Sequence, residues 1–353
     1  MKKILVLNLG STSSKIAVFT EYDMKFEDVI RHDIEQTNLP LNDQVDFRLE
    51  SIKNALNLHH ISLHAIDAIA CRGGVLKPIE GGTYIINKKM YNDLKTFKYG
   101  FHASNLSGVI GYEIAKELNI ESYIVDPVVV DELMPEARLT GIKGLERRSI
   151  FHALNQKSVA KEFAKSVNRK YEDINVIVAH LGGGITVGAH RKGRVIEVND
   201  GLLGEGPLSP ERAGSIPNDV LITWLIENEF TVHEAMNELS KHAGLMSYFG
   251  TNNCLEIEKL MENGDQKAQL VLDTMCYQVA KYIGACAASL EGDVDQIILT
   301  GGLSYSKYLI NKVKQYVSWI QNVTIYAGEK EMHALNTGVM DLLYGKISTK
   351  SYE

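Results

Sequence analysis

The sequence predicts an α/β protein of two related halves, each a sheet flanked by helices. Hydrophobic runs of strand length alternate with segments of helical spacing, the pattern of α/β layers. Two glycine-rich loops each sit between a pair of short strands, as in a hairpin. The first is Asn8-Leu9-Gly10-Ser11-Thr12-Ser13-Ser14-Lys15, between 4–7 and 16–19; the second is His180-Leu181-Gly182-Gly183-Gly184, between 176–179 and 185–189. A third glycine pair, Thr300-Gly301-Gly302, follows a late strand at 296–299. With no Cβ in the way, such loops bring backbone N–H groups close to phosphate oxygens. Three of them suggest a nucleotide held in a cleft between the halves.

The elements follow in order. After the first hairpin, a third strand is expected near 26–32 and a helix over 41–58. A short buried strand at 65–71 ends at Arg72-Gly73-Gly74; 84–87 is extended and 88–96 helical. The segment 103–118 is an amphipathic helix, because Leu106, Val109, Ile110, Ile114, Ala115 and Leu118 fall on one face. A strand at 122–125 closes at Asp126-Pro127, and 134–148 is irregular and charged. The pattern then restarts: helix 151–167, strand 176–179, and a hairpin over 185–198 turning at Lys192-Gly193. Glycine and proline crowd 201–217, a loop long enough to suggest function. Helices at 220–227, 231–239, 255–261 and 267–290 precede strand 296–299, helix 304–317, strand 323–326 and a last helix at 332–344. The two halves read as a diverged duplication.

Composition narrows the class. The chain has 353 residues, 45% hydrophobic and 23% charged, enough for about two domains with a sizeable core. A net charge of −7 argues against a nucleic-acid surface. The four cysteines, Cys71, Cys254, Cys276 and Cys286, form no C-x-x-C pair and read as reduced, buried thiols. The opening apolar run stops at Asn8, too short for a signal peptide, and no run reaches the ~18 apolar residues of a membrane span. A cytoplasmic protein is expected. Gly188-x-x-x-x-Gly193 is followed by Arg194-Val195, so it fails as a Walker loop; no G-x-G-x-x-G, H-E-x-x-H, EF-hand or G-x-S-x-G pattern occurs.

The ordered set of hairpin-borne N-L-G-S-T-S-S-K, hairpin-borne H-L-G-G-G and strand-following T-G-G-L-S resembles the two phosphate loops and the adenosine loop of the actin-like ATPase superfamily. Within it, the chain resembles the acetate and butyrate kinase family. Further matches are Arg72-Gly73-Gly74, Gly100-Phe101-His102, Val125-Asp126-Pro127, Arg147-Arg148-x-x-Phe151-His152, Gly201-Leu202-Leu203-Gly204-Glu205-Gly206-Pro207 and Glu211-Arg212-Ala213-Gly214. Acetate kinases tend to be longer, to carry H-L-G-N-G where Gly183 stands, and F-H-G-T-S-H where this chain has Phe151-His152-Ala153-Leu154-Asn155-Gln156. Each departure points toward butyrate. The resemblance implies two actin-like (ribonuclease H-like) domains with an interdomain cleft. It implies reversible phosphoryl transfer between ATP and a short-chain carboxylate, butyrate or a branched relative, giving acyl phosphate and ADP. An acetate or propionate kinase, a sugar kinase of the superfamily and a non-metabolic actin-like ATPase are the alternatives.

A carboxylate is already ionised near neutral pH and needs no general base. The difficulty is bringing an anion to an anionic γ-phosphate, which calls for cations, hydrogen-bond donors and in-line positioning. Arg72, at a strand end, suits a carboxylate or phosphoryl clamp, with Arg212 in the 201–217 loop as its partner. The resemblance assigns His152 to the transferring phosphoryl group and Asp126 to orienting an arginine or a metal-bound water; Asp-Pro also forms turns. His102 reads equally as a carboxylate neighbour or a helix cap. His180 would order the second phosphate loop. Asn8, Ser11, Ser13 and Lys15 would meet phosphates from the first loop, Gly182, Gly183 and Gly184 from the second, and Gly301 and Gly302 would pack against adenosine. Glu331 would help hold Mg²⁺, with Glu329 as the alternative. If Gly73 and Gly74 replace bulky residues after the clamp arginine, they open an acyl pocket walled by Phe101 and Phe151, although both could be ordinary core.

The expected domains are 1–148 with 331–353, carrying the first phosphate loop and the acyl side, and 149–330, carrying the second phosphate loop and the adenosine loop. The apolar 267–290 helix could face a second copy, so a homodimer is expected.

Overall fold

The computed structural model describes residues 1–202 and 205–353; Leu203 and Gly204 of the 201–207 motif lie outside the described residues. The chain divides into two compact units, Met1–Val130 with Lys330–Glu353, and Asp131–Glu329. Each is a mixed sheet flanked by helices.

The first unit's strands are β1 (Lys3–Leu9), β2 (Ser13–Thr20), β3 (Asp23–Arg31), β4 (Ala68–Cys71), β5 (Thr83–Ile85) and β6 (Glu121–Val125), in the order β3-β2-β1-β4-β6-β5. β1, β2 and β3 form an antiparallel meander, and β1, β4 and β6 run parallel. Alternation along β1 sends Leu5, Leu7 and Leu9 to one face, where they join Ile52 and Leu56 of the Gln44–Leu58 helix and Leu106, Ile110 and Ile114 of the Asn105–Leu118 helix. The Glu331–Leu343 helix also packs on β1 and β4.

The second unit repeats the plan. Its strands are β7 (Asn175–Leu181), β8 (Ile185–Arg191), β9 (Arg194–Val198), β10 (Gln296–Gly301) and β11 (Val323–Ala327), in the order β11-β10-β7-β8-β9. β7 to β9 form an antiparallel meander, while β7, β10 and β11 are parallel. The β8–β9 hairpin turns at Lys192 and Gly193, both at positive φ. Every residue of β7 is buried. Ile177 and Ala179 meet Leu272, Met275 and Ile283 of the Gln266–Ser289 helix, and Val176 and Val178 meet Val159, Ala160 and Phe163 of the Ala153–Ser166 helix.

The unit boundary differs from the expectation. Residues 131–148, placed with the first domain from sequence, pack with the second sheet: Met134 N–H donates to the Ile196 carbonyl, and Arg147 holds Glu197 and Glu205. A charged, irregular stretch has no hydrophobic period to show which core it joins, and these long-range partners decide it. All four cysteines are buried and unpaired with one another, and burial raises their thiol pKa values, those of Cys254 and Cys276 to about 12. Among the described residues, no helix is long and apolar enough to cross a membrane.

Candidate functional site

In the first unit, the ends of β1 and β4 and the start of the Glu331–Leu343 helix bring three of the candidate residues together. Arg72 donates to Asn8 Oδ1 at 3.2 Å, Asn8 donates to Glu331 Oε2 at 2.7 Å, and Arg72 lies 3.6 Å from the same carboxylate oxygen. Asn8 thus bridges a guanidinium and a carboxylate, and its two amide ends match a donor on one side and an acceptor on the other.

The first glycine-rich loop is held from behind by a residue the sequence reading did not single out. Arg48, fully buried on the Gln44–Leu58 helix, donates to the carbonyls of Gly10 at 3.0 Å, Ser11 at 2.9 Å and Ser13 at 3.4 Å, and to Ser14 Oγ at 3.3 Å. Gln44 Oε1 accepts from Arg48 Nε and Nη2 at 3.1 and 2.9 Å. Burial lowers the Arg48 pKa to about 10, which leaves the guanidinium charged at neutral pH. Its neighbours in sequence are helical, so the only local signal was a cation on the buried face of an amphipathic helix.

Other candidates take different places. Lys15 is the register partner of Asn8, but its ammonium pairs with Glu27 at 2.9 Å, a half-exposed ion pair on the sheet. Asp126 is buried at φ 38°, accepting from the Gly82 N–H at 2.7 Å while its own N–H donates to the Gly82 carbonyl. His102 Nδ1 accepts from the Ser104 N–H at 3.1 Å, just before the Asn105–Leu118 helix. The ring reaches solvent, yet partial desolvation, and then nearby Arg72, hold its pKa below the ordinary histidine value.

Gly73 and Gly74 do not open the acyl pocket expected from the sequence. A Cβ on Gly73 would lie 2.3 Å from Pro127 Cβ and 2.7 Å from Ile124, and one on Gly74 2.5 Å from the Asn105 Cα. The space these glycines free is already filled by neighbours, so they serve close packing and open no hollow. Phe101 is 71% exposed, against Phe97. Phe151 is buried.

In the second unit the Gly182–Gly184 turn joins β7 to β8. Gly183 O accepts from Ser209 Oγ at 2.7 Å and from the Glu211 N–H at 3.2 Å, so the 201–217 loop clasps the turn. A Cβ at Gly183 would meet only ordinary contacts with Glu211. Gly301, at φ 88°, lies against this turn: its Cβ would fall 2.4 Å from the Leu181 carbonyl oxygen, so only glycine fits. Gly302 has nothing within 4 Å of its Cβ position.

His152 and His180 stack with ring centres 3.7 Å apart and planes 9° apart. His180 is buried; its Nδ1 lies 2.8 Å from Asn155 Oδ1 and so carries the proton there. Its Nε2 comes within 3.1 Å of Glu329 Oε1 without the alignment of a hydrogen bond. His152 Nδ1 lies 3.0 Å from Thr186 Oγ1. Arg212 is anchored by Glu211 at 3.1 Å and by the Ser240 carbonyl, while its buried Nε has no partner. That guanidinium stands beside Gly184 and at the wall of a cavity of about 400 Å³, whose lining includes Ile185, Pro207, Ile216, Leu221 and Leu239. Sequence reasoning missed the cavity because its walls come from the irregular loop and from two helices beyond it.

The two units therefore carry guanidinium groups, imidazoles and glycine turns suited to anions. Among the described residues, no group of three or more His, Cys, Asp or Glu is gathered as a metal site. The sequence profile of the acetokinase family matches residues 138–328, more than half of the chain. Among solved structures, the chain is similar to Porphyromonas gingivalis acetate kinase, with a TM-score of 0.81 at 18% identity over 97% of this chain and 100% of that one. It is also similar to a propionate kinase from Francisella tularensis subsp. tularensis SCHU S4 (TM-score 0.78, 20% identity, 95% and 98% covered) and to acetate kinase from Entamoeba histolytica (0.75, 18%, 96% and 98%). At these identities the structural likeness establishes the fold.

Proposed function

This chain belongs to the acetokinase family of carboxylate kinases, and from that premise we propose that it is a butyrate kinase, acting on butyrate or a branched relative. A carboxylate oxygen attacks the γ-phosphorus of ATP in line; the new O–P bond forms as the bond to the bridging oxygen breaks, and that electron pair leaves with ADP. No proton moves, so no general base is required. Arg72 and Arg212 neutralise the carboxylate and the transferring group. His152 donates a hydrogen bond to an equatorial phosphoryl oxygen, His180 orders the second glycine turn, and His102 serves the carboxylate. Asn8, Ser11 and Ser13 meet phosphates from the first loop, and Gly301 and Gly302 take the adenosine.

Magnesium bound with the nucleotide would neutralise its phosphates, and Glu331 would help hold it. Such an ion keeps several waters and needs few protein ligands, so the single, largely buried carboxylate of Glu331 suits it. Asp126 would orient a metal-bound water.

The preference for butyrate rests on one observation: Arg212 lies at the wall of a cavity of mixed lining, where Ile185, Pro207, Ile216, Leu221 and Leu239 offer aliphatic surface beside the polar Asn199, Asp200 and Glu205, with room for an alkyl tail longer than a methyl group. Each buried methylene adds roughly 0.8 kcal/mol. A hydroxamate assay for acyl phosphate, run from acetate to hexanoate with straight and branched acids, tests this. A butyrate-to-acetate ratio of kcat/KM above one is expected; a ratio below one favours the second reading, an acetate or propionate kinase, in line with the acids named for the similar structures. We further propose a homodimer through the outer face of the Gln266–Ser289 helix, where Leu270 and Tyr277 are exposed. Sedimentation of the Leu270→Glu variant as a monomer would support it.

A further inference from the structure

Behind His152 lies a buried polar chain that the reaction above does not use. Gln156, Thr186 and His190 are fully buried and Tyr171 nearly so. Thr186, Gly188 and His190 alternate along β8 and share one face. A Cβ on Gly188 would lie 2.5 Å from Gln156 Oε1, so glycine at this position admits the Gln156 amide from the Ala153–Ser166 helix.

Donor and acceptor chemistry gives the chain a direction. Gln156 Nε2 lies 3.1 Å from the Thr186 carbonyl, which can only accept, so the amide nitrogen faces that way and Oε1 faces His190 Nε2 at 3.0 Å. His190 Nε2 therefore carries a proton, Nδ1 accepts, and the Tyr171 hydroxyl donates to it at 2.7 Å. Burial keeps this imidazole neutral, holding its pKa well below the ordinary value. The second Gln156 amide hydrogen goes to Thr186 Oγ1 at 2.8 Å. Thr186 Oγ1 in turn lies 3.0 Å from His152 Nδ1. Donation of the Thr186 hydroxyl hydrogen to that nitrogen satisfies it; the reverse sense would leave a buried hydroxyl hydrogen unpaired.

We propose that this one-way relay, from Tyr171 through His190, Gln156 and Thr186, holds His152 as the tautomer protonated on Nε2. Thr186 and Gln156 are then positioning residues. With Nδ1 occupied as an acceptor, the ring must present N–H at its other nitrogen; the opposite tautomer would turn a lone pair there, repelling an anionic phosphoryl oxygen. The inference rests on the assignment of His152 to the transferring group.

The test is a long-range ¹H–¹⁵N spectrum of the full-length protein labelled at histidine, at mildly alkaline pH, with the His152→Gln variant assigning the signal. The wild type should show His152 protonated on Nε2. Thr186→Val, nearly isosteric, should lose that preference and lower kcat about tenfold at unchanged KM for ATP, and Thr186→Ser should restore both. Gln156→Met should shift the tautomer in the same direction by less, which keeps the test open if the valine variant fails to fold. A wild-type ring protonated on Nδ1, or a valine variant with an unmoved tautomer, overturns the relay. A moved tautomer with unaltered turnover upholds the relay and removes His152 from the chemistry instead.

Discussion

The two glycine-rich hairpin loops occupy equivalent places in the two sheets, each at the turn from the first to the second strand of an antiparallel meander, yet they are supported by opposite means. The first loop is gripped from behind by one buried cation: Arg48 collects the carbonyls of Gly10, Ser11 and Ser13. The second is supported by neutral groups spread over several elements. Asn155 fixes His180, Ser209 and the Glu211 N–H take the Gly183 carbonyl, and Gly301 packs beneath Leu181. A guanidinium can organise several carbonyls at once because its donors lie in a fixed plane. Neutral support needs more partners, and the second unit provides them from its 201–217 loop, the Ala153–Ser166 helix and the end of β10. The lesson is that two sheets of one plan can keep the same backbone turn while different side chains hold it.

The largest effect should come from the two arginines proposed to face the reactants. Arg72→Ala or Arg212→Ala should each lower kcat by roughly a hundred- to a thousandfold while the melting temperature stays close to wild type, read by acyl phosphate formation and calorimetry. Near-normal turnover in both would remove them from the mechanism. Next comes the comparison itself. Arg48→Met strips several carbonyls of their donors at once and should cost about 2–4 kcal/mol in urea unfolding, against roughly 1–2 kcal/mol for Asn155→Ala at the second loop. Equal losses would break the contrast between concentrated and distributed support.

A smaller effect concerns acid. His190 in the second unit has its folded pKa pushed well below the ordinary histidine value of 6.5, first by burial and then by Lys157 and Lys161. His32, bonded to Ser14 behind the first loop, is lowered by desolvation and then by Arg48. Below pH 6.5 the unfolded chain binds protons that the folded chain does not, so stability should fall as pH drops from that point. Replacing His190 with Asn should flatten this slope more than replacing His32, as measured by denaturant midpoints across that range. The smallest effect belongs to Lys15→Ala. Its half-exposed pair with Glu27 should be worth under ~1 kcal/mol, so a large rise in KM for ATP would instead assign its ammonium to phosphate.

What the sequence by itself determined is local. Hydrophobic runs, helical spacing and glycine clusters each act over a few residues, and they specified the strand pairs, both hairpin loops, the glycine pair after β10 and the α/β layers. Arg72, His152 and Arg212 stood out as candidates because each stands at the edge of such a pattern. Tertiary structure decided what depends on distant partners. Asn8 meets Glu331 from 323 positions away, Arg48 reads as an ordinary helical residue until the first loop folds onto it, and residues 131–148 join a core their own sequence does not announce. Gly73 and Gly74 show the same limit from the other side: a missing side chain is visible in the sequence, but whether it leaves a hollow depends on Pro127, Ile124 and Asn105, which only the packed fold brings there. Periodicity reports burial along a chain, whereas hydrogen-bond partners and cavity walls are set by which surfaces are finally pressed together.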